Sequence, residues 1–199
     1  MVSKSALRNE YKKRRRGMCQ EEYDAANERI TRRLLQLPAV SEAKMVLSYV
    51  AHGREADTRL ALAELLESGK LVITPAGRDP ETALNCFHFL TQNDPLLDKS
   101  WAPGYVPAEV CDVVQLHDVD LFIVPGIVWD SNGYRIGYGG GYFDRLLAAA
   151  GEKATIIGLA YDWQLVEQVP HDAWDEPVDL IVTESRVIES PVPPVHETG

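Results

Sequence analysis

The residues with the clearest chemical potential form one segment, Arg135 to Arg145, which reads RIGYGGGYFDR. Its glycines at 137, 139, 140 and 141 lose much backbone entropy on folding. They also let the main chain approach a ligand closely and turn its N–H groups inward around an anion. Arg135, just before them, offers a fork of donors that suits phosphate oxygens. The segment therefore predicts a phosphate-binding loop.

Two well-known phosphate motifs do not fit this segment. No Gly-Lys-Ser/Thr follows the glycines, and the third glycine of a dinucleotide fingerprint would fall on Tyr142. Taken alone, a glycine run is also compatible with a flexible loop. Asp144 follows in the first turn of a predicted helix, where a carboxylate can either cap the helix or hold Mg²⁺ beside phosphates. Both readings of Asp144 stay open at this point.

The elements around the loop predict that it lies at one edge of a parallel sheet. Apolar runs predict strands at 45–50, 71–74, 84–90, 120–124, 155–159 and 178–183. Helical patterns cover about 3–17, 20–36, 57–69 and 142–150, a short helical turn is predicted at 163–168, and residues 130–133 predict a hairpin tip. This alternation predicts an α/β fold with a mainly parallel sheet flanked by helices. In such folds ligands bind beyond the carboxyl ends of the strands.

Length and composition predict one globular domain. The chain has 199 residues, of which 45% are apolar and 25% charged, and this allows a substantial core. We place the domain at 1–188 and treat the Pro-rich segment 189–199 as a tail outside the core. No apolar stretch is long enough for a membrane span. No internal repeat is evident.

Charge and cysteine content narrow the functional classes. The formal charge is −10, yet residues 4–16 hold seven basic residues against one acid. This basic stretch is short and free of interleaved aromatics, so we interpret it as a solvated helix face and predict no nucleic-acid partner. The N-terminus lacks the apolar segment of a secretory signal. Three scattered cysteines form no disulfide framework and no zinc spacing, so we expect a cytoplasmic protein.

The segment from Arg135 to Arg145 resembles the signature of the 5-formyltetrahydrofolate cyclo-ligase family, roughly R-L-G-x-G-x-G-Y-Y-D. The likeness continues over most of the chain. Family-like stretches are KSALR at 4–8, EADT at 55–58, GK at 69–70 with Pro75, IGLAY at 157–161, and VDLIVTE at 178–184. The resemblance implies a NagB/RpiA/CoA-transferase-like three-layer fold. It also implies conversion of 5-formyltetrahydrofolate and MgATP into 5,10-methenyltetrahydrofolate, ADP and phosphate.

The resemblance further implies a role for each matching residue. Those expected to bind ATP are Lys4, Arg8, Arg135, Ile136, Gly137, Tyr138, Gly139, Gly140, Gly141, Tyr142 and Phe143. Those expected to contact the folate are Val50, Glu55, Tyr138, Gly139, Gly140, Gly141 and Tyr142, and Arg135 and Tyr142 are the expected catalytic residues. Asp144 and Asp179 are expected to bind Mg²⁺.

Each implied role has a simpler alternative. Lys4 and Arg8 fit a solvated terminal helix, and Glu55 fits an acid placed shortly before a helix. Val50 fits a core position, and Asp179 fits an acid at the start of a strand. No metal-like spacing of histidines and no activated cysteine is evident. The expected partners are reduced folate and MgATP, with neither nucleic acid nor membrane, and the expected state is a monomer.

The sequence departs from the family pattern in two places. The family's Gly-Ile-x-Glu-Pro is replaced by GYVPAE at 104–109, and a His-Asp pair before Asp179 is displaced to His171 and Asp172, with Trp174 and Asp175 nearer. One alternative function is therefore a folate- or nucleotide-binding paralogue that has lost ligase turnover. A third is a sugar-phosphate isomerase on the same type of fold, since a fold does not fix a function.

Overall fold

The computed structural model describes residues 3–78, 85–98 and 112–191. The altered segment 104–109 and residues 192–199 of the tail lie outside this part of the chain. The helices are α1 Lys4–Arg16, α2 Gln20–Leu35, α3 Pro38–Glu42, α4 Arg59–Glu67 and α5 Tyr142–Leu147. The strands are β1 Met45–Ser48, β2 Leu71–Arg78, β3 Asn85–Phe89, β4 Leu121–Val124, β5 Val128–Asp130, β6 Arg135–Ile136, β7 Thr155–Leu159, β8 Leu165–Val166, β9 Leu180–Val182 and β10 Val187–Glu189.

The main sheet has seven strands in the order β10-β9-β7-β4-β1-β2-β3. The five central strands run parallel, with Val46 opposite Val72 and Leu47 opposite Phe122, and only β3 and β10 at the edges are antiparallel. Parallel strands need long crossover connections, and α4 supplies one between β1 and β2. The predicted α/β fold with a mainly parallel sheet flanked by helices is confirmed.

Both faces of the sheet are buried, as the continuous apolar strands predict. Successive strand residues point to opposite faces. Val46 and Leu121 pack into the cluster under α2 and α4, whereas Leu47 and Phe122 pack into the cluster that includes α5. Each cluster is contributed by several strands. The sheet therefore gives a rigid platform from which loops at its edge can be positioned.

A second, three-stranded sheet positions residues 135–145, called the glycine segment below. The predicted hairpin tip is confirmed, because β5 pairs antiparallel with β6 and the Asp130 carboxylate accepts hydrogen bonds from the backbone of Asn132 and Tyr134. The predicted helical turn at 163–168 is different: a short 3₁₀ turn at Asp162–Gln164 leads into β8, which pairs parallel with β5. Pairing with β5 overrides the weak local preference for a turn there.

Trp129 anchors this small sheet to the main one. Its side chain is fully buried between two glycines, and a Cβ on Gly126 or on Gly158 would come within 2.3 Å of the indole ring. Gln164, also buried, donates to the backbone carbonyls of Gly126 and Ile127. These contacts fix the chain that leaves β4 and leads towards the glycine segment.

Three sequence expectations need adjustment. Helix α5 ends at Leu147 rather than near Ala150. The packed chain reaches slightly beyond the expected limit at 188, because β10 extends to Glu189 and the Ser190 hydroxyl donates to the backbone carbonyl of Asn132. Cys86 is disulfide-bonded, whereas the scattered cysteines were expected to form no disulfide framework.

Candidate active site

A cavity of about 1070 Å³ lies beyond the carboxyl ends of β1 and β4, where Tyr49 and Pro125 follow the two strands. Its lining includes thirteen of the fifteen residues singled out from the sequence: Lys4, Arg8, Glu55, Arg135, Ile136, Gly137, Tyr138, Gly139, Gly140, Gly141, Tyr142, Phe143 and Asp144. The structure thus brings together segments that are up to 140 positions apart in the chain. The volume lies slightly above the usual range for small-molecule sites.

The glycine segment runs along this cavity with its backbone held from two sides. Arg8 Nε donates to the Gly137 carbonyl at 2.8 Å, and Arg145 Nη1 donates to the Gly140 carbonyl at 2.9 Å. Gly139 and Gly141 have φ values of +105° and +60°, which residues other than glycine rarely adopt. Helix α5 has only six residues, so its dipole adds less to anion binding than the sequence-predicted nine-residue helix would.

Arg135 is buried and already paired. Its Nη2 donates to Asp144 Oδ1 at 2.8 Å, and its Nη1 donates to the Glu176 carbonyl at 2.6 Å. Burial lowers the pKa of Arg135, and the Asp144 carboxylate opposes this shift. A guanidinium nevertheless stays charged in proteins. The residue is therefore a fixed cation at one end of the glycine segment.

Lys4 also lines the cavity and is paired in a similar way. Its Nζ lies 2.6 Å from a carboxylate oxygen of Asp172 and 2.6 Å from one of Asp175. Burial acts against the lysine charge, but the hydrogen bonds to the two carboxylates outweigh it and raise the pKa of Lys4. Trp174, between the two acids, lines the same cavity and is 71% exposed. Asp172 belongs to the displaced His-Asp pair of the family pattern, and Asp175 lies shortly after it in the chain.

Glu55 and Tyr138 also line the cavity and contact each other. The Tyr138 hydroxyl donates to Glu55 Oε1 at 2.8 Å, while Glu55 Oε2 accepts from the backbone N–H of His52 at 2.8 Å. Burial and then the Glu55 carboxylate raise the pKa of Tyr138, so the phenol keeps its proton. Lys12 Nζ lies 4.3 Å from the centre of the Tyr138 ring.

Sequence reasoning missed Arg15, which joins this pair. Arg15 Nη2 donates to the Tyr138 hydroxyl at 2.5 Å, and its Nη1 lies 3.7 Å from Glu55 Oε1. The sequence contains a usable signal. Lys4, Arg8 and Arg15 are spaced by four and seven residues, which places them on one face of a helix. Interpreting residues 12–16 as a uniformly solvated patch overlooked that periodicity.

Two residues singled out from the sequence do not line the cavity. Val50 is half-buried and packs against the apolar cluster under α2 and α4. Asp179 Oδ2 accepts from the backbone N–H of Ile156 at 2.7 Å and so joins the starts of β7 and β9. Each contact matches the simpler alternative considered for that residue.

The carboxylates near the cavity do not form a ready-made metal cage. Across residues 3–78, 85–98 and 112–191, no group of three or more His, Cys, Asp or Glu side chains is arranged to hold a metal ion. Asp144 remains a suitable donor, because Mg²⁺ is usually held by one or two carboxylates together with water and substrate phosphates. Its carboxylate lies on the cavity wall with 24% of the side chain exposed.

The geometry is matched by similarity to known proteins. The model of the 5-formyltetrahydrofolate cyclo-ligase family matches residues 1–184. The 5-formyltetrahydrofolate cyclo-ligase of Escherichia coli K12 is 31% identical over 180 residues, covering 89% of this chain and 98% of the relative. The chain belongs to the 5-formyltetrahydrofolate cyclo-ligase family. The resemblance stated from the motifs is confirmed, and the chain is a member of a family of ligases.

Further relatives agree in sequence and in fold. The cyclo-ligase of Haemophilus influenzae is 28% identical over 178 residues, covering 88% of this chain and 95% of the relative. The structure is similar to Aquifex aeolicus 5,10-methenyltetrahydrofolate synthetase, with a TM-score of 0.76, 31% identity, and coverage of 96% and 94% of the two chains. The Mycoplasma pneumoniae synthetase, at 22% identity and a TM-score of 0.71, shares the fold. The cyclo-ligase family therefore agrees with the architecture found here.

Among the described residues, no helix combines the length and apolar character needed to cross a bilayer.

Proposed function

We propose that this protein converts 5-formyltetrahydrofolate and ATP into 5,10-methenyltetrahydrofolate, ADP and phosphate. One observation carries the proposal: a single cavity is lined both by a cation-flanked glycine segment and by the hydrogen-bonded Glu55–Tyr138 pair. Tyr138 belongs to both parts. A two-substrate reaction needs such an arrangement, because the phosphate donor and the group it activates must be held in contact.

The nucleotide side uses the positive charges and the backbone of the glycine segment. Lys4, Arg8 and Arg135 each line the cavity, and phosphate oxygens would compete for the side chains that now pair with Asp172, Asp175 and Asp144. The backbone and side chains from Ile136 to Phe143 complete the proposed site, whose members are Ile136, Gly137, Tyr138, Gly139, Gly140, Gly141, Tyr142 and Phe143. Charge neutralisation of this kind is the main protein contribution to phosphoryl transfer.

The folate side uses Glu55 as an acceptor. A pterin ring presents an amide and an amine along one edge, and a buried carboxylate is a strong acceptor for such donors. Tyr138 and Tyr142 contribute aromatic surface beside the glycines. Val50 is outside the lining, so we propose a core role for it in place of the predicted folate contact.

The chemistry follows from the poor reactivity of a formamide oxygen. The formyl oxygen attacks the γ-phosphorus of ATP, ADP leaves, and an imidate phosphate forms. N10 of the folate then attacks the activated carbon, and the former formyl oxygen departs within inorganic phosphate. Arg135 and Tyr142 both line the cavity beside the glycines, and holding the transferred phosphoryl group would be the task of the Arg135 guanidinium. We propose these two as the catalytic residues.

Magnesium would supply further neutralisation of the ATP phosphates. We propose Asp144 as its protein ligand, since this carboxylate lies on the cavity wall and beside Arg135. The role of Asp179 as a second ligand stays a prediction. A monomeric state and a cytoplasmic location complete the proposal.

The test is a direct assay with two substrates. Purified protein mixed with 5-formyltetrahydrofolate and MgATP should develop the near-ultraviolet absorbance of the methenyl product, with one ADP per product. A control with a non-hydrolysable ATP analogue should stay flat. Absence of product with either Mg²⁺ or Mn²⁺ present would exclude ligase turnover. Binding of both ligands without turnover would instead favour the paralogue.

A further inference from the structure

Arg15 connects three parts of the chain at the folate side of the cavity. It lies on α1, its partner Tyr138 belongs to the glycine segment, and its partner Glu55 follows β1. The Arg15 and Glu55 side chains are only 8% and 6% exposed. Arg15 itself is not part of the cavity lining. It therefore acts on the site through the two residues that are.

The energetics of burial give Arg15 a specific task. A buried guanidinium is stable only when acceptors compensate its lost hydration. Its Nη2 is satisfied by the Tyr138 hydroxyl, but its buried Nη1 makes no hydrogen bond within the described chain and faces Glu55 Oε1 at 3.7 Å. A small movement would let this nitrogen donate a charge-assisted hydrogen bond to Glu55 Oε1.

Glu55 is oriented by the same set of contacts. Oε2 is fixed by the backbone N–H of His52, and Oε1 is shared between the Tyr138 hydroxyl and the Arg15 charge. Without Arg15, the hydrogen bonds to the buried carboxylate within the described chain would come only from the neutral Tyr138 hydroxyl and His52 N–H, and Lys12 would act on it through charge alone. A neutral pair holds a buried carboxylate less firmly than a cation does.

We propose that Arg15 is a positioning residue that holds the Glu55 carboxylate and the Tyr138 phenol ready for the pterin edge of the substrate. This inference rests on the proposed function and adds a residue to the same site. When the pterin donors take Glu55, Arg15 keeps the phenol of Tyr138 in place and continues to neutralise the carboxylate. Folate binding is thereby linked to the shape of the glycine segment.

The experiment compares Arg15→Gln, Arg15→Lys and Arg16→Gln. Arg16 is the adjacent, exposed residue of α1, so its variant removes the same charge away from the contact. Arg15→Gln should raise the KM for 5-formyltetrahydrofolate by about tenfold or more, as expected for loss of a charge-assisted hydrogen bond. The KM for ATP should change by less than about threefold, a difference too small to indicate such a loss. Arg15→Lys should be intermediate, and Arg16→Gln should match the wild type.

A Tyr138→Phe variant and the double variant with Arg15→Gln test the connection itself. If Arg15 acts through Tyr138, the two effects on folate KM should not multiply. Equal increases of both KM values, or an unchanged folate KM with lowered thermal stability, would overturn the proposal. If Arg15→Gln does not fold, Arg15→Lys is compared with Tyr138→Phe instead. An increase confined to the folate KM supports the proposal, and equal increases of both KM values overturn it.

Folate binding measured without ATP separates this inference from the proposed function. The affinity for 5-formyltetrahydrofolate, measured by quenching of protein fluorescence, should be about tenfold lower in Arg15→Gln than in Arg16→Gln. A wild type that binds the folate but does not turn it over would refute ligase activity and leave the Arg15 comparison decisive. Equal binding by the two variants would refute the role of Arg15.

Discussion

At the residue scale, two of the positive charges of the site are held by carboxylates of the same cavity. Arg135 is paired with Asp144, and Lys4 is paired with Asp172 and Asp175. Such pairs keep the cations in place along the cavity lining. Nucleotide binding is therefore expected to exchange one set of ion-pair partners for another.

Arg135→Ala should abolish turnover and also lower stability. Its removal leaves the Asp144 carboxylate and the Glu176 carbonyl without the guanidinium that donates to them. We expect a loss of about 1–3 kcal/mol in the free energy of unfolding, measured by urea titration.

Arg135→Lys is the matched variant, because it keeps the charge and loses the two-pronged donor geometry. It should retain most of the stability and show a kcat/KM at least about a hundredfold below the wild type. A fully active Arg135→Ala protein would contradict the assigned role.

The Lys4 ion pairs should stabilise the fold in a defined pH range. The folded-state pKa of Lys4 is raised above its ordinary 10.5, so this contribution is fully present below pH 10.5 and is lost as pH rises through the higher folded value. Wild type and Lys4→Met should therefore differ in free energy of unfolding at pH 8–10 and converge only as pH rises above 10.5 and through the folded-state pKa. A difference that grows with alkaline pH would refute the pairing.

At the element scale, the glycine segment is shaped by backbone conformations that other residues resist. Gly139 has φ +105° and a Cβ there would lie 3.4 Å from Arg8 Nη2, whereas a Cβ on Gly140 would meet nothing within 4 Å. The two positions are neighbours with opposite requirements. One needs glycine for its conformation, and the other leaves open space towards the cavity.

Gly139→Ala and Gly140→Ala separate conformation from ligand contact. Gly139→Ala should lose about 1–3 kcal/mol of unfolding free energy through backbone strain. Gly140→Ala should keep its stability but raise the KM for ATP, because the new methyl group occupies space beside the phosphates. Equal stability of the two variants would show that the segment adopts another conformation.

The elements themselves were predictable, and the contacts between them were less so. Helix α1, the buried strands and the hairpin at Asp130 follow from capping, apolar runs and turn residues within a few positions of each other. The pairing of β8 with β5 and the contact of Arg15 with Tyr138, 123 positions away, depend on how distant segments meet. Local patterns contain little information about such contacts.

The same difference between local and distant contacts explains which of the singled-out residues line the cavity and which do not. Residues in the glycine segment lie together because they are consecutive, and Lys4, Arg8 and Glu55 reach them through the docking of α1 and the loop after β1. Asp179 was assigned by motif alone. Its carboxylate is committed to the backbone of Ile156, which no local pattern reveals.

At the scale of the whole molecule, a rigid sheet supports a cavity whose walls come from both ends of the chain. The loops after β1 and β4, the helix α1 and the segment 172–176 all contribute to it. We therefore infer that the phosphate groups of ATP and the formyl group of a reduced folate meet in this cavity. Membership of the cyclo-ligase family and the shared fold support that claim.

The fate of the formyl oxygen tests this claim most directly. 5-Formyltetrahydrofolate labelled with ¹⁸O in the formyl group should be incubated with the protein and MgATP, and the released phosphate analysed by mass spectrometry. Direct phosphorylation predicts one ¹⁸O in each phosphate released with methenyl product. Unlabelled phosphate accompanying that product would contradict phosphorylation of the formyl oxygen, because ATP would then have been cleaved without activating the formyl group.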